Sequence, residues 1–337
     1  MRRHVLALFA AAAVGALAAQ AAQAETLRIL AYEGYADDDW IAKFEEQTGA
    51  DVNVVFAGSP EEMFAKMQGS GGADYDLVAI DTSIIKRYSD NGLIQPMDES
   101  KLTDLGNLVP AFADIPQTKP DGKRLAVPIA WGSLGLVYSN EEFPDGVHDW
   151  NVLWDPKYKG RVLMGDDGNN NIVNTALSMG IKDPFNLTPE QAQEVKDKLI
   201  KLKSNLLSYY SGGEEGVTLY EQNDVVLMTA FGELQHRQLV SRGMDVGYAV
   251  PDEGAVGWVD CWAISSKAAA VDLAHQWIEF WLNPEIGAAM SQRYGYGNTT
   301  SEAVDLDYAD RLVWLSEPED YTMRTELWNE VKAAPAQ

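Results

Sequence analysis

Between residues 27 and 83 the chain alternates short apolar strands with capped amphipathic helices, and this βα rhythm leaves few folds open. Leu27–Tyr32 reads as a strand. Asp37, Asp38 and Asp39 then open a helix that keeps Trp40, Ile41 and Phe44 on one face and stops at Gly49. Val52–Phe56 is the next strand. Ser59-Pro60-Glu61-Glu62 has the form of a capping box with proline at the first helical position, and Met63, Phe64 and Met67 follow on one stripe. A third strand, Tyr75–Ile80, runs into Asp81-Thr82-Ser83, where another helix begins. Such repetition demands a parallel sheet with helices packed on it, and it gathers the loops at the carboxyl ends of the strands along one edge. Those loops carry Tyr32, Glu33 and Tyr35 after the first strand and Asp81, Thr82 and Ser83 after the third.

A chain of 337 residues exceeds the usual size of one hydrophobic core, so a second domain is expected. Residues 135–247 contain strands and helices of their own, Gly160–Met164, Asp224–Thr229, Ile172–Met179 and Pro189–Leu202. The Trp131-Gly132 and Gly254–Gly257 segments suit crossings between the two. Downstream, Tyr248–Ala268 reads YAVPDEGAVGWVDCWAISSKA. If this stretch is extended, Trp258 and Asp260 point the same way, an indole beside a carboxylate. That pair suits an alkylammonium ion, since the indole face attracts the cation and the carboxylate accepts its charge-assisted hydrogen bonds. It equally suits a buried core aromatic and a strand-end turn residue.

Arg2 and Arg3, the apolar run Val5–Ala19 and the Ala22-Gln23-Ala24 triplet have the form of a signal peptide, residues 1–24, cut after Ala24, which predicts a periplasmic location. The apolar stretch is short for a membrane span and no second one follows, so no stable membrane insertion is expected. The chain has 51 acidic and 26 basic residues, a net charge of −25, which makes nucleic acid a poor partner and favours cations. Cys261 is the single cysteine and can form no internal disulfide. The four histidines, His4, His148, His236 and His275, show no metal-ligand spacing, no nucleophile motif is present, and no metal, cofactor or catalytic residue is expected.

Six segments in order, LRILAYEGYADDDWIAKFEEQTGADV, DYDLVAIDTSIIKRYSDNGLIQPMD, AVPIAWGSLGLVYS, WDPKYKGRVLM, VPDEGAVGWVDCWAI and RYGYGNTT, resemble the periplasmic polyamine (spermidine and putrescine) solute-binding proteins of bacterial ABC transporters, a branch of the extracellular solute-binding proteins. The resemblance spans nearly the whole chain. It implies an α/β, two-lobed periplasmic-binding-protein fold (type II), with a hinge of crossing strands and the ligand in the interlobe cleft. Residues 25–134 plus 258–303 would form the N-terminal lobe, and 135–257 plus 304–337 the C-terminal lobe. It also implies a monomeric receptor that is not an enzyme, holds a small organic cation and delivers it to the permease subunits of the inner membrane.

Position by position, Trp258 and Asp260 match the family's aromatic platform and amine-binding carboxylate, and Tyr35 an aromatic near the amine. Tyr296 stands where another tyrosine is found, and Tyr32 where a tryptophan is usual. Asp81 and Ser83 occupy a ligand loop with different side chains, and Glu33 adds a carboxylate. Asn171 falls where a spermidine-type receptor places glutamate, Ala230 where a tryptophan is usual, and Glu233 where putrescine-type members aim an aspartate. One end of a diamine site is retained and the other rewritten. The expected solute is a polyamine such as putrescine or spermidine, with a betaine, opine, aminophosphonate or amino-acid derivative as alternatives. An anionic far end would need donors, for which Arg293 and Arg324 are candidates. Tyr209-Tyr210 leaves a ferric-iron receptor as a further alternative, and a periplasmic hydrolase is the reading from the enzyme class.

Overall fold

The computed structural model describes residues 24–300 and 308–336; residues 1–23 of the expected leader and the 303/304 lobe boundary lie outside them. The early strands form as the alternation dictates: β1 (Thr26–Ala31), β2 (Asp51–Phe56) and β3 (Leu77–Asp81), with β1 parallel to both β2 and β3. The intervening helices are Asp38–Thr48, closed by Gly49 in the left-handed conformation, and Pro60–Ser70, closed by Gly71. Ser59 caps the second helix by accepting Glu62 N–H, whereas the Glu62 carboxylate takes Gly58 N–H instead of returning to Ser59.

Two sheets result. The first also contains β4 (Ala126–Ser133), β10 (Ala255–Ile264), β11 (Gly297–Asn298) and β12 (Leu312–Trp314), in the order β11-β4-β10-β3-β1-β2 with β12 alongside β10. The second is ordered β7-β6-β8-β5-β9, from β5 (Leu136–Ser139), β6 (Val162–Gly165), β7 (Leu206–Tyr210), β8 (Leu227–Thr229) and β9 (Val246–Ala249). Every residue of β10 is buried, because β10 lies between β3 and β4 with side chains packed on both faces.

The chain passes between the sheets where β4 runs into β5 through Leu134-Gly135 and where β9 returns to β10 through 250–254. Gly135 is required at the first crossing, since a Cβ there would meet the Ala249 carbonyl oxygen at 2.4 Å. β12 pairs with the start of β10 in the first sheet, and after it a third passage leads to helix Tyr321–Ala333, which packs on helices Gly168–Ser178 and Pro189–Leu202 beside the second sheet. The carboxyl ends of β1, β2 and β3 and those of β6, β7 and β8 face one another across the gap between the lobes.

Candidate functional site

Between those strand ends lies a cavity of about 430 Å³ with walls from both lobes. Alternation along β10 places Trp258 and Asp260 on its floor, while Val259 and Cys261 pack on the opposite face with Ile80 and Val78. The Trp258 indole lies flat against β4 because residue 132 is glycine: a Cβ there would sit 2.5 Å from Trp258 Cζ2. Tyr296 meets the same indole edge-on at 4.8 Å between ring centroids. Asp260 Oδ2 accepts the Tyr35 hydroxyl at 2.6 Å. Tyr35 is itself wedged edge-on against Tyr32, Trp262 and Trp281, so the acceptor is held in one orientation.

Asp81 stands directly opposite Asp260 in the β3–β10 pairing. Like charges in that position weaken a strand pair, so the arrangement is costly unless a cation lies between them. Asp81 Oδ1 accepts both the Ser83 N–H (2.8 Å) and the Ser83 hydroxyl (2.5 Å), so Asp81 turns the chain into the following helix and still faces the cavity. Burial pushes the Asp260 carboxyl up to about 7, with the Asp81 charge adding to the rise and the Tyr35 hydrogen bond opposing it. Burial likewise raises Asp81, against the lowering effect of Ser83. The tyrosines of the wall are pushed well above the usual phenol range by burial and the neighbouring carboxylates, and remain protonated donors.

The second lobe contributes Asp167, which follows β6 and caps helix Gly168–Ser178 by accepting Asn170 N–H at 3.0 Å. Its carboxyl is raised to about 7 by burial and by the charges of Glu61 and Asp81 across the cleft; solvent still reaches it, so its rise counts for less than that of Asp260. Asp260, Asp81, Glu61 and Asp167 thus form a row of mutually sensed carboxylates that runs from lobe to lobe. Glu33, Asp166, Glu214 and Glu215 complete a set of eight acidic side chains in the lining, which includes no Lys, Arg or His. Some are already committed: Asp166 holds Lys332 and the Trp328 indole N–H, and Glu214 pairs with Arg242.

Of the residues singled out from sequence, Trp258, Asp260, Tyr35, Tyr32, Glu33, Asp81 and Tyr296 line this cavity. Ser83 stands behind Asp81. Asn171 supports the Gly165 carbonyl through its side-chain amide at 2.7 Å, beside a small recess that also contains Ala230. Glu233 opens helix Glu233–Ser241 but turns to the crossing strands. It accepts Ser133 N–H (3.1 Å), the Ser133 hydroxyl (2.7 Å) and the Tyr308 hydroxyl. Arg293 is paired with Asp37 and Asp39, and Arg324 is buried on Glu319, Asn169 and the Pro184 carbonyl; neither lines the cavity. Tyr210 donates to the Thr229 carbonyl and Tyr209 packs on Trp328, and among the described residues no cluster of three or more His, Cys, Asp or Glu could hold a metal ion.

Sequence reasoning passed over Phe231, placed Glu61 at a helix start, and read the helix start at Asp167-Gly168-Asn169 as a source of donors for an anionic group and not as a carboxylate for a cation. Phe231 follows Ala230 and swings its ring over Gly165, where a Cβ would be 2.6 Å away, into the wall of the cavity. An aromatic side chain therefore occupies this wall although position 230 is alanine. A signal for Asp167 existed in Asp166-Asp167-Gly168, since a cap at the end of a second-lobe strand must face the cleft.

A sequence profile of the family described as "Bacterial extracellular solute-binding protein" matches residues 39–316. The chain is 28% identical to the spermidine/putrescine-binding periplasmic protein of Escherichia coli (strain K12) over 296 residues, covering 87% of this chain and 83% of that one. It is 25% identical to the putrescine-binding periplasmic protein of the same organism over 358 residues, covering 96% and 95%. A solved structure from Listeria monocytogenes, described as a candidate spermidine/putrescine ABC transporter, superposes with a TM-score of 0.82 at 27% identity, covering 92% of this chain and 99% of that one.

Proposed function

The chain belongs to the bacterial extracellular solute-binding protein family, and we propose that it is the periplasmic receptor of an ABC importer that carries a polyamine such as putrescine or spermidine. The observation that bears this reading is the lining of the cleft, eight carboxylates with tryptophan and tyrosine walls and no basic side chain. A zwitterion such as a betaine, an opine or an amino acid would bring its own carboxylate into that field, and the arginines that could have met it are engaged elsewhere. A solute with a cation at each end instead meets Trp258, Asp260 and Asp81 in one lobe and Asp167 in the other.

Binding between lobes fits closure by hinge bending at Leu134-Gly135, 250–254 and the segment after β12, after which the closed form docks on the permease. In this reading the lobes are 25–134 with 258–303 and 135–257 with 304–337, and the leader is removed after Ala24 to release a monomer into the periplasm. No helix among the described residues is long and apolar enough to cross a membrane. A receptor role fits a cleft whose lining includes no histidine, His236 and His275 being bonded to the backbone carbonyls of Val246 and Val271.

A thermal-shift panel tests the proposal. Putrescine and spermidine should raise the melting temperature by mass action, whereas glycine betaine, an opine and free amino acids leave it unchanged. Stabilisation by zwitterions with no response to polyamines would refute it, as would chemical turnover of a bound solute.

A further inference from the structure

Glu233 is a buried carboxylate that the cavity does not use: it is 6% exposed and absent from the lining. Its Oε1 collects three donors, Ser133 N–H at 3.1 Å, the Ser133 hydroxyl at 2.7 Å and the Tyr308 hydroxyl. The Ser133 hydroxyl also meets the Tyr248 hydroxyl at 2.9 Å, so the network joins the crossing out of β4 to the one that follows β9. The other oxygen, Oε2, is buried and has no hydrogen-bond partner among the described residues, and the same holds for the Trp258 indole Nε1. These two orphans are neighbours. A Cβ built on Gly132 would lie 2.8 Å from Glu233 Oε2 and 2.8 Å from Trp258 Cε2, the carbon bonded to Nε1. A buried acceptor without a donor and a buried donor without an acceptor thus border one space, which stays open because residue 132 has no side chain. Each is costly to leave unpaired.

We propose that Glu233 is a positioning residue that latches the hinge to Trp258: closure of the lobes on a solute brings Oε2 onto the indole N–H and fixes the ring on which the cation lies. The inference rests on the receptor reading and adds how closure is held. Helix Glu233–Ser241 packs on β9 of the second sheet, whereas Trp258 belongs to β10 of the first, so a change in hinge angle changes the separation of the two groups. Burial raises the Glu233 carboxyl, while the Tyr308 and Ser133 hydrogen bonds favour its ionised form. An ionised Oε2 makes a charge-assisted bond to the indole N–H. That bond also polarises the ring, so that its face attracts a cation more strongly.

Nuclear magnetic resonance of the full chain at pH 8, isotope-labelled at the tryptophan side-chain nitrogens, reads the bond directly; the Trp258 signal is the one that disappears in Trp258→Phe. Saturating spermidine should move the Trp258 indole proton downfield and slow its exchange with solvent by at least about tenfold, the scale of one hydrogen bond to a charged group. Glu233→Gln separates the latch from simple support of the hinge. The three donors keep a carbonyl oxygen at Oε1, so the amide nitrogen replaces Oε2 and sets a donor against a donor. In that variant the downfield shift should vanish and spermidine should dissociate about tenfold faster. Glu233→Asp, with the carboxylate drawn back by one methylene, gives the same readout if the glutamine variant does not fold. A Trp258 signal that spermidine leaves unmoved, or moves equally in wild type and Glu233→Gln, overturns the latch and leaves the receptor reading standing. Faster dissociation with the wild-type shift retained also overturns it, since Glu233 would then act through its charge alone. Failure of the wild-type protein to bind spermidine in calorimetry overturns the receptor reading and the latch with it.

Discussion

Replacing Asp260 by asparagine should have opposite effects on stability and on binding. The residue is almost fully buried, and its carboxyl is held at about 7 where an ordinary aspartate titrates at 3.8. Because the folded form holds its proton more tightly than the unfolded form, the contribution of Asp260 to stability is greatest at low pH and falls as pH rises from about 4 through 7. Over that interval the loss is about 1.4 kcal/mol per pH unit, or about 4 kcal/mol in all. Asparagine keeps an acceptor for the Tyr35 hydroxyl and removes the charge. Chemical denaturation of solute-free Asp260→Asn at pH 8 should therefore show a gain of a few kcal/mol over wild type, shrinking to nothing near pH 4. Binding should move the other way. A charge-assisted hydrogen bond to a buried cation contributes about 1.5–3 kcal/mol, so polyamine affinity should fall by about tenfold to a hundredfold. A variant that is destabilised at pH 8 yet binds polyamines as wild type does would refute the reasoning, for Asp260 would then be a structural partner of Tyr35.

Since Asp260 and Asp167 sit at about 7, cation binding should release protons near neutrality, and affinity should weaken as pH falls from 8 to 5.5; calorimetry in buffers of different ionisation enthalpy would show both effects. Asp167→Asn should cost about threefold to tenfold in polyamine affinity, less than Asp260→Asn because solvent reaches it, a difference that titration resolves. Gly132→Ala would place a methyl group 2.5 Å from Trp258 Cζ2 and 2.8 Å from Glu233 Oε2; with overpacking costs of about 1–3 kcal/mol it should lower the melting temperature and weaken binding together.

Much of the fold is legible because its signals are local. Asp37 and Ser59 mark helix starts, Gly49 and Gly71 adopt the left-handed stops, and the strands of the first lobe follow runs of apolar residues. Strand alternation alone puts Trp258 and Asp260 on one face, and both lie at the cavity. The opposition of Asp81 to Asp260 was hidden, because it depends on the register of two strands separated by more than half the chain. Asp167 was legible as a cap at the end of a second-lobe strand, but its burial beside the charges of Glu61 and Asp81 was not, since the crossing of β4 into β5 is what brings β6 to face the first lobe. Glu233 shows the limit of positional similarity. Its carboxylate finds donors in Ser133 and Tyr308 at the hinge, and Tyr308 is brought there by a segment from the far end of the sequence.

The crystal structure of the protein grown with spermidine tests the central claim most directly. One cationic group should lie within hydrogen-bonding distance of Asp260 and Asp81 with its carbons against Trp258, and a second should approach Asp167 across the closed cleft. Density for the solute at the protein surface, with the carboxylate row meeting only solvent, would contradict it.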